Sequence, residues 1–175
     1  LFLAMIDSDA DKSKLEILYS EYKNLMYYTA NRILRNSRDA EDVVHQAFLK
    51  VIEILDTISS PRCHKTRALL VTITEHKAID LYREKQRRNV LPLAEEYVGA
   101  APAAEIERLA ERDTLAAAIA ALPPRYRSVL LLRYDCGYSN AEIANILDTT
   151  EPNVRKLIQR AKEKLSAALS GMEEP

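Results

Sequence analysis

The sequence predicts an all-α protein made of two small helical domains. Apolar residues recur at the three-and-four spacing of helices along most of the chain, and strand-type alternation is nearly absent. Glycine is scarce, at three residues. A hydrophobic content of 47% beside 29% charged residues is that of a globular chain. The length of 175 residues suits one domain or two small ones.

The first helix is expected over 11–35. Leu15, Leu18, Tyr19, Tyr22, Leu25, Met26, Thr29, Ala30 and Ile33 form a continuous stripe there. Asn36-Ser37 breaks the stripe, and Ser37 or Asp39 is placed to cap a second helix over about 39–56. That helix carries Ala40, Val43, Val44, Ala47, Phe48, Val51, Ile52 and Leu55 on one face. Asp39, Glu41 and Asp42 crowd its first turn, where carboxylates meet the positive end of the helix dipole.

Residues 57–66, TISSPRCHKT, read as a polar exposed loop. A third helix follows over about 67–88. Its first half is apolar almost all round, which predicts a central place in a bundle, and its second half turns basic at Arg83, Lys85, Arg87 and Arg88. Residues 89–104 hold Pro92, Gly99 and Pro102 and read as a linker. An Ala-rich helix is expected from about 105 to 121. Another follows over 124–135, with Tyr126, Val129, Leu130 and Tyr134 facing inward and Gly137 just past its end.

Residues 139–169 read as two helices joined by a tight turn. Ser139 and Glu142 form a capping box, and Ala141, Ile143, Ala144, Ile146 and Leu147 supply an apolar face. Asp148-Thr149-Thr150 interrupts the pattern; Thr150 can cap the second helix, and Pro152 is tolerated in its first turn. In that helix Val154, Leu157, Ile158, Ala161 and Leu165 make one stripe. Lys156, Gln159 and Arg160 lie opposite it, with Pro152 and Asn153 on that side at the N-terminus and Arg155 on the flank. A helix that buries one face and offers Asn, Arg, Lys and Gln on the other suits a DNA major groove. The plainer alternative is an amphipathic surface helix with solvated charges.

The net charge of −1 conceals an uneven distribution. Residues 62–88 carry eight Lys/Arg and three acids, a net of +5; 150–166 carry five and two, a net of +3; and 93–113 carry two and six, a net of −4. Two basic segments separated by an acidic one suggest two contact surfaces for a polyanion. Catalysis finds no support, because phosphate-cradling glycine loops, serine nucleophile elbows and carboxylate–histidine sets of plausible spacing are all missing. No cofactor and no metal site is expected: Cys63 beside His64 lacks a distant second ligand pair, and Glu-x-x-His repeats that would let His45, His64 and His76 share a metal are absent. Two distant cysteines fit a reduced, cytoplasmic setting, and no apolar run reaches membrane-span length. The opening LFLAMI is either a frayed tail or a small docking segment.

Two stretches together resemble bacterial RNA polymerase sigma factors of the sigma-70 class, in the compact extracytoplasmic-function group. In the first half the run Asp39-Ala40-Glu41-Asp42-Val43-Val44-His45-Gln46-Ala47-Phe48 is similar to that family's core-polymerase-binding helix. Leu69-Leu70-Val71-Thr72-Ile73 with His76-Lys77-Ala78-Ile79-Asp80-Leu81-Tyr82-Arg83 is similar to the helix that recognises and melts the −10 promoter element. In the second half, Leu122-Pro123-Pro124-Arg125-Tyr126-Arg127-Ser128-Val129, then Tyr138 through Leu147, then Val154 and Arg160-Ala161-Lys162 with Leu165, resembles region 4. The family more often has Gln at the position of His45, Trp at Leu69, Asn at His76, Gly at Asp148 and Arg at Leu157.

The resemblance implies region 2 over 1–88, a linker over 89–105 and region 4 over 106–175. It implies core RNA polymerase and promoter DNA as partners, and often an anti-sigma factor, with no membrane insertion. Core binding falls to Asp39, Glu41, Asp42, Gln46 and Phe48. Recognition of the −10 element falls to Arg62, Lys65, His76, Lys77, Asp80 and Arg83, and −35 recognition to Pro152, Asn153, Arg155, Lys156, Gln159 and Arg160. Two readings compete: a helix-turn-helix regulator that binds DNA without core polymerase, and a helical metalloenzyme built on the three histidines.

Overall fold

The computed structural model describes residues 2–89 and 114–173, and the chain divides into two compact units, Leu1–Leu91 and Pro92–Pro175. Most of the expected linker and residues 105–113 of the Ala-rich helix lie outside the described residues. The described residues are helical and contain no strand.

In the first unit, helix α1 spans Asp9–Leu34, α2 Ser37–Glu53 and α3 His64–Asn89, and the three pack pairwise. Ser8 caps α1 by accepting the Asp11 N–H, and Asp9 and Asp11 lie in the first turn where the dipole favours them. Arg35 ends α1 in the left-handed region, φ 51°, with its N–H bonded to the Asn31 carbonyl at 2.8 Å. That turn leaves Asn36 extended, and its side chain accepts the Asp39 N–H at 3.1 Å. The cap of α2 is therefore Asn36, in place of the expected Ser37 or Asp39; a cap needs extended backbone, and Ser37 is already helical. Helix α2 also stops at Glu53 and gives way to a 3₁₀ turn, Leu55–Thr57.

Helix α3 starts three residues earlier than its pattern suggests because the preceding loop is tied down. The Thr66 hydroxyl donates to the Ser60 carbonyl at 2.6 Å, the Arg67 N–H to Cys63 at 3.1 Å, and the Tyr22 hydroxyl to Pro61 at 2.8 Å. The first half of α3 is central as expected: Thr66, Leu69, Leu70, Thr72, Ile73, Thr74 and Glu75 are buried. Leu18, Met26, Phe48 and Val51 complete this core with no exposed surface.

In the second unit, α4 spans Thr114–Ala120, α5 Pro124–Leu130, α6 Asn140–Ile146 and α7 Glu151–Glu173. Buried Arg127 donates to the Ala120 carbonyl at 3.3 Å and ties α5 to the end of α4. Helix α5 runs into a π-turn, Leu131–Asp135, where the Cys136 N–H reaches back to Leu131 at 2.9 Å. A π-turn inserts an extra residue into the helical count. Tyr126, Val129 and Leu130 face inward as expected, but the insertion turns Tyr134 outward, where it is 60% exposed, and brings Leu132 into the core. Gly137, φ 79°, takes the left-handed position after this turn.

Both halves of the Ser139–Glu142 capping box form, at 3.2 Å and 2.7 Å. Ile143, Ala144, Ile146 and Leu147 are buried, while Ala141 is exposed. The chain reverses at Asp148, φ 51°, and the Thr150 hydroxyl accepts the Asn153 N–H at 3.4 Å to start α7.

Candidate functional site

Helix α7 is the best-defined surface. Val154 and Ala161 are fully buried and Ile158 nearly so, while Leu157 is half-buried at the stripe's edge. Pro152, Asn153, Arg155, Lys156, Gln159 and Arg160 are all exposed. Half of them are already engaged. Arg155 pairs with Glu151 at 2.7 Å, the Gln159 amide donates to Glu163 at 3.1 Å, and Asn153 Nδ2 to the Thr149 hydroxyl at 3.3 Å. Lys156 and Arg160 have no partner among the described residues. The face thus offers two unneutralised cations beside an amide that can read a base edge.

The basic surface of α3 is less uniform. At 100° per residue, Lys65, His76, Asp80 and Arg83 share one side of the helix, and Lys77 is turned well away from it. Along that side, Leu69 and Thr72 are buried, so the residues fall into two exposed patches. One holds Lys65 with Arg62 from the loop; Arg62 pairs with Glu21 of α1 at 3.2 Å. The other holds His76, Asp80 and Arg83, with His76 Nε2 3.3 Å from Asp80. Cys63 lies at the base of the first patch. Hydrogen bonding with Thr66, through its side chain and then its backbone, holds the Cys63 thiol below the usual range. Burial, and then the neighbouring Cys63, push the Tyr22 phenol up.

On α2, Glu41, Asp42 and Gln46 are exposed and share a face with His45. Asp39 is largely covered, because its carboxylate accepts the Lys85 ammonium of α3. Phe48 is fully buried, its ring 5.1 Å from Tyr19, so it supports this face from below and does not belong to its exposed surface. The helical stripe that places Phe48 with Val44 and Val51 carried that information. The opening segment proves to be docked. Phe2–Met5 forms a 3₁₀ turn, Phe2 packs 4.8 Å from His45 and 5.9 Å from Phe48, and Ile6 is buried. Sequence reasoning had no signal for this contact or for the Asp39–Lys85 pair.

Among the described residues no three His, Cys, Asp or Glu side chains gather as metal ligands, and no helix is long and apolar enough to cross a membrane.

Residues 18–88 match sigma-70 region 2 and residues 112–165 match sigma-70 region 4. The chain belongs to the sigma-70 family. Its curated relatives place it in the extracytoplasmic-function group. It is 28% identical to the sigma factor SigW of Bacillus subtilis, over 93% of this chain and 90% of that one. It is 26% identical to SigL of Mycobacterium tuberculosis, over 91% of each. It is also similar to the solved sigma factor RpoE of Bartonella quintana, which was co-crystallised with the anti-sigma factor NepR, at 17% identity and a TM-score of 0.42 over 93% of this chain and 97% of that one. The region 2 match takes in most of α1, all of α2 and nearly all of α3, and the region 4 match takes in α4, α5 and α6 and the first two-thirds of α7.

Proposed function

We propose that this chain binds core RNA polymerase and directs promoter-specific transcription initiation in the cytoplasm. Region 2 spans 1–88, a linker 89–105 and region 4 106–175. The exposed Glu41, Asp42 and Gln46 of α2 dock on a basic surface of the polymerase. The outer face of α7 enters the major groove at the −35 element, where Lys156 and Arg160 meet phosphate or a base edge and Gln159 reads one. Arg62 and Lys65, with His76, Asp80 and Arg83, hold −10 bases as the strands open, and these contacts offset part of the unstacking cost.

The observation that carries this reading is the division of α7 into an apolar side anchored by buried Val154, Ile158 and Ala161 and an exposed side with two cations unpartnered among the described residues, set within a region 4 match. A stand-alone helix-turn-helix regulator would use the same α7 face but leaves the acidic face of α2 without a purpose. Purified core polymerase decides between the two. Stoichiometric complex formation, weakened by Glu41→Gln with Asp42→Asn, is the expected result. Tight duplex binding by a chain that ignores core polymerase would favour the regulator.

A further inference from the structure

The Asp39–Lys85 ion pair joins two surfaces that the proposed function uses separately, and the inference drawn from it rests on that reading of α2 and α3. Asp39 begins α2 and Lys85 lies in the basic end of α3. The Asp39 side chain keeps 16% of its surface exposed, whereas Lys85 keeps 47%. The residue is tied at two points: its backbone N–H donates to the Asn36 side chain, and its carboxylate accepts the Lys85 ammonium. Glu41 and Asp42, one turn on, are open to solvent.

The cations at this end of α3 are not equivalent. Arg83 and Arg87 have no partner among the described residues. Arg88 pairs with Glu84 of the same helix at 2.6 Å. Lys85 is neutralised by a carboxylate from a different helix. A lysine bound to a largely covered carboxylate contributes less to a phosphate contact than a free one, because approach of a phosphate must dislodge it or tolerate the nearby negative charge.

We propose that Asp39 is a positioning residue that acts through Lys85: it withholds one cation of α3 from nucleic-acid phosphate and so lowers the sequence-independent affinity of the free chain. On this account the acidic turn of α2 has two roles. Glu41 and Asp42 face outward to the polymerase, and Asp39 faces inward to the DNA-contacting helix.

The test measures binding of the full-length protein to fluorescein-labelled single-stranded DNA of mixed sequence as salt is varied. Asp39→Asn keeps the size of the side chain and the backbone N–H that Asn36 caps, and removes the charge. It should steepen the slope of log K against log salt by about 0.7, one added phosphate contact on a single strand, and tighten binding about fivefold at 0.1 M salt. Lys85→Gln, and the double variant Asp39→Asn with Lys85→Gln, should both stay near the wild-type slope. Thermal unfolding of each variant separates a change in binding from a loss of fold, and Lys85→Gln tests the pair from its other side. An unchanged slope in Asp39→Asn overturns the proposal, as does a gain that persists in the double variant, since the effect would not then pass through Lys85. Asp39→Asn that loses core polymerase and leaves DNA binding as it was would return Asp39 to the docking face. Failure of every form, wild type included, to bind core polymerase would reject the sigma reading while the DNA titration still judges the ion pair.

Discussion

The two basic helices, α3 and α7, present their charges differently. On α7, Lys156 and Arg160 stand without a partner among the described residues, opposite a stripe anchored by buried Val154, Ile158 and Ala161. On α3 and its loop the cations are mixed: Arg62 is held by Glu21 of α1 and Lys85 by Asp39 of α2, His76 lies beside Asp80 of its own helix, and Arg83 and Arg87 have no partner among the described residues. Exposed ion pairs contribute about 0–1 kcal/mol each, so these are readily exchanged for phosphate, but they must be exchanged. Under the proposed function the α7 surface meets an intact duplex without first giving up a partner at Lys156 or Arg160. The α3 surface gains its full charge only when Glu21 and Asp39 are displaced, which under the proposed function suits a surface that acts after DNA is already held nearby.

The largest effect should come from below the α2 face. Phe48→Ala should cost about 3–5 kcal/mol of region 2 stability, read by chemical denaturation, because a fully buried aromatic leaves a cavity. Glu41→Gln should cost less than about 0.5 kcal/mol and act on polymerase binding alone. A Phe48→Ala protein of normal stability that fails to bind polymerase would move Phe48 onto the docking surface. Next, Arg160→Ala or Lys156→Ala should weaken binding to a −35 duplex by about 1–3 kcal/mol and leave core binding in place, as measured by fluorescence anisotropy. Arg155→Ala should cost less, since its guanidinium is already held by Glu151. Equal loss of core binding in Lys156→Ala or Arg160→Ala would sink the division of labour.

Smaller again, Ser139→Ala removes one arm of the capping box and should lower region 4 stability by about 1 kcal/mol. An unaltered denaturation midpoint would show that α6 is held by its packing alone. The smallest effect concerns the loop before α3. Burial keeps the Tyr22 phenol above its ordinary value of 10.0, so the folded state favours the neutral form. Its contribution is complete below that ordinary value and is lost as pH rises through the higher folded-state value. Tyr22→Phe should therefore flatten the alkaline limb of the stability curve, and an identical limb in the variant would contradict this.

The helical periodicities were legible because they depend on neighbours within one or two turns. The buried side of α7, the central first half of α3 and the Ser139 capping box all follow from such local spacing. What escaped depends on irregular backbone or distant contact. The π-turn at Leu131–Asp135 shifts the count by one residue and exposes Tyr134, which no regular helical wheel anticipates. The start of α3 at His64 is set by loop hydrogen bonds to Ser60 and Pro61. The −10 candidates share a helical side, but only the packing around Leu69 and Thr72 reveals that they form two patches. Asp39 and Lys85 lie 46 residues apart, and each has a sufficient local explanation, one as a first-turn acid and the other as a helix-end cation.

The most direct test of the account is transcription in vitro from a pool of genomic fragments, with core RNA polymerase, the wild-type chain and its Arg160→Ala and Glu41→Gln/Asp42→Asn variants, reading discrete 5′ ends. The account predicts new start sites that share two spaced upstream motifs, lost with the α2 variant through failure to bind core and diminished with Arg160→Ala in proportion to dependence on the −35 motif. Core polymerase that stays silent with the wild-type chain, while that chain still shifts duplex DNA, would contradict it.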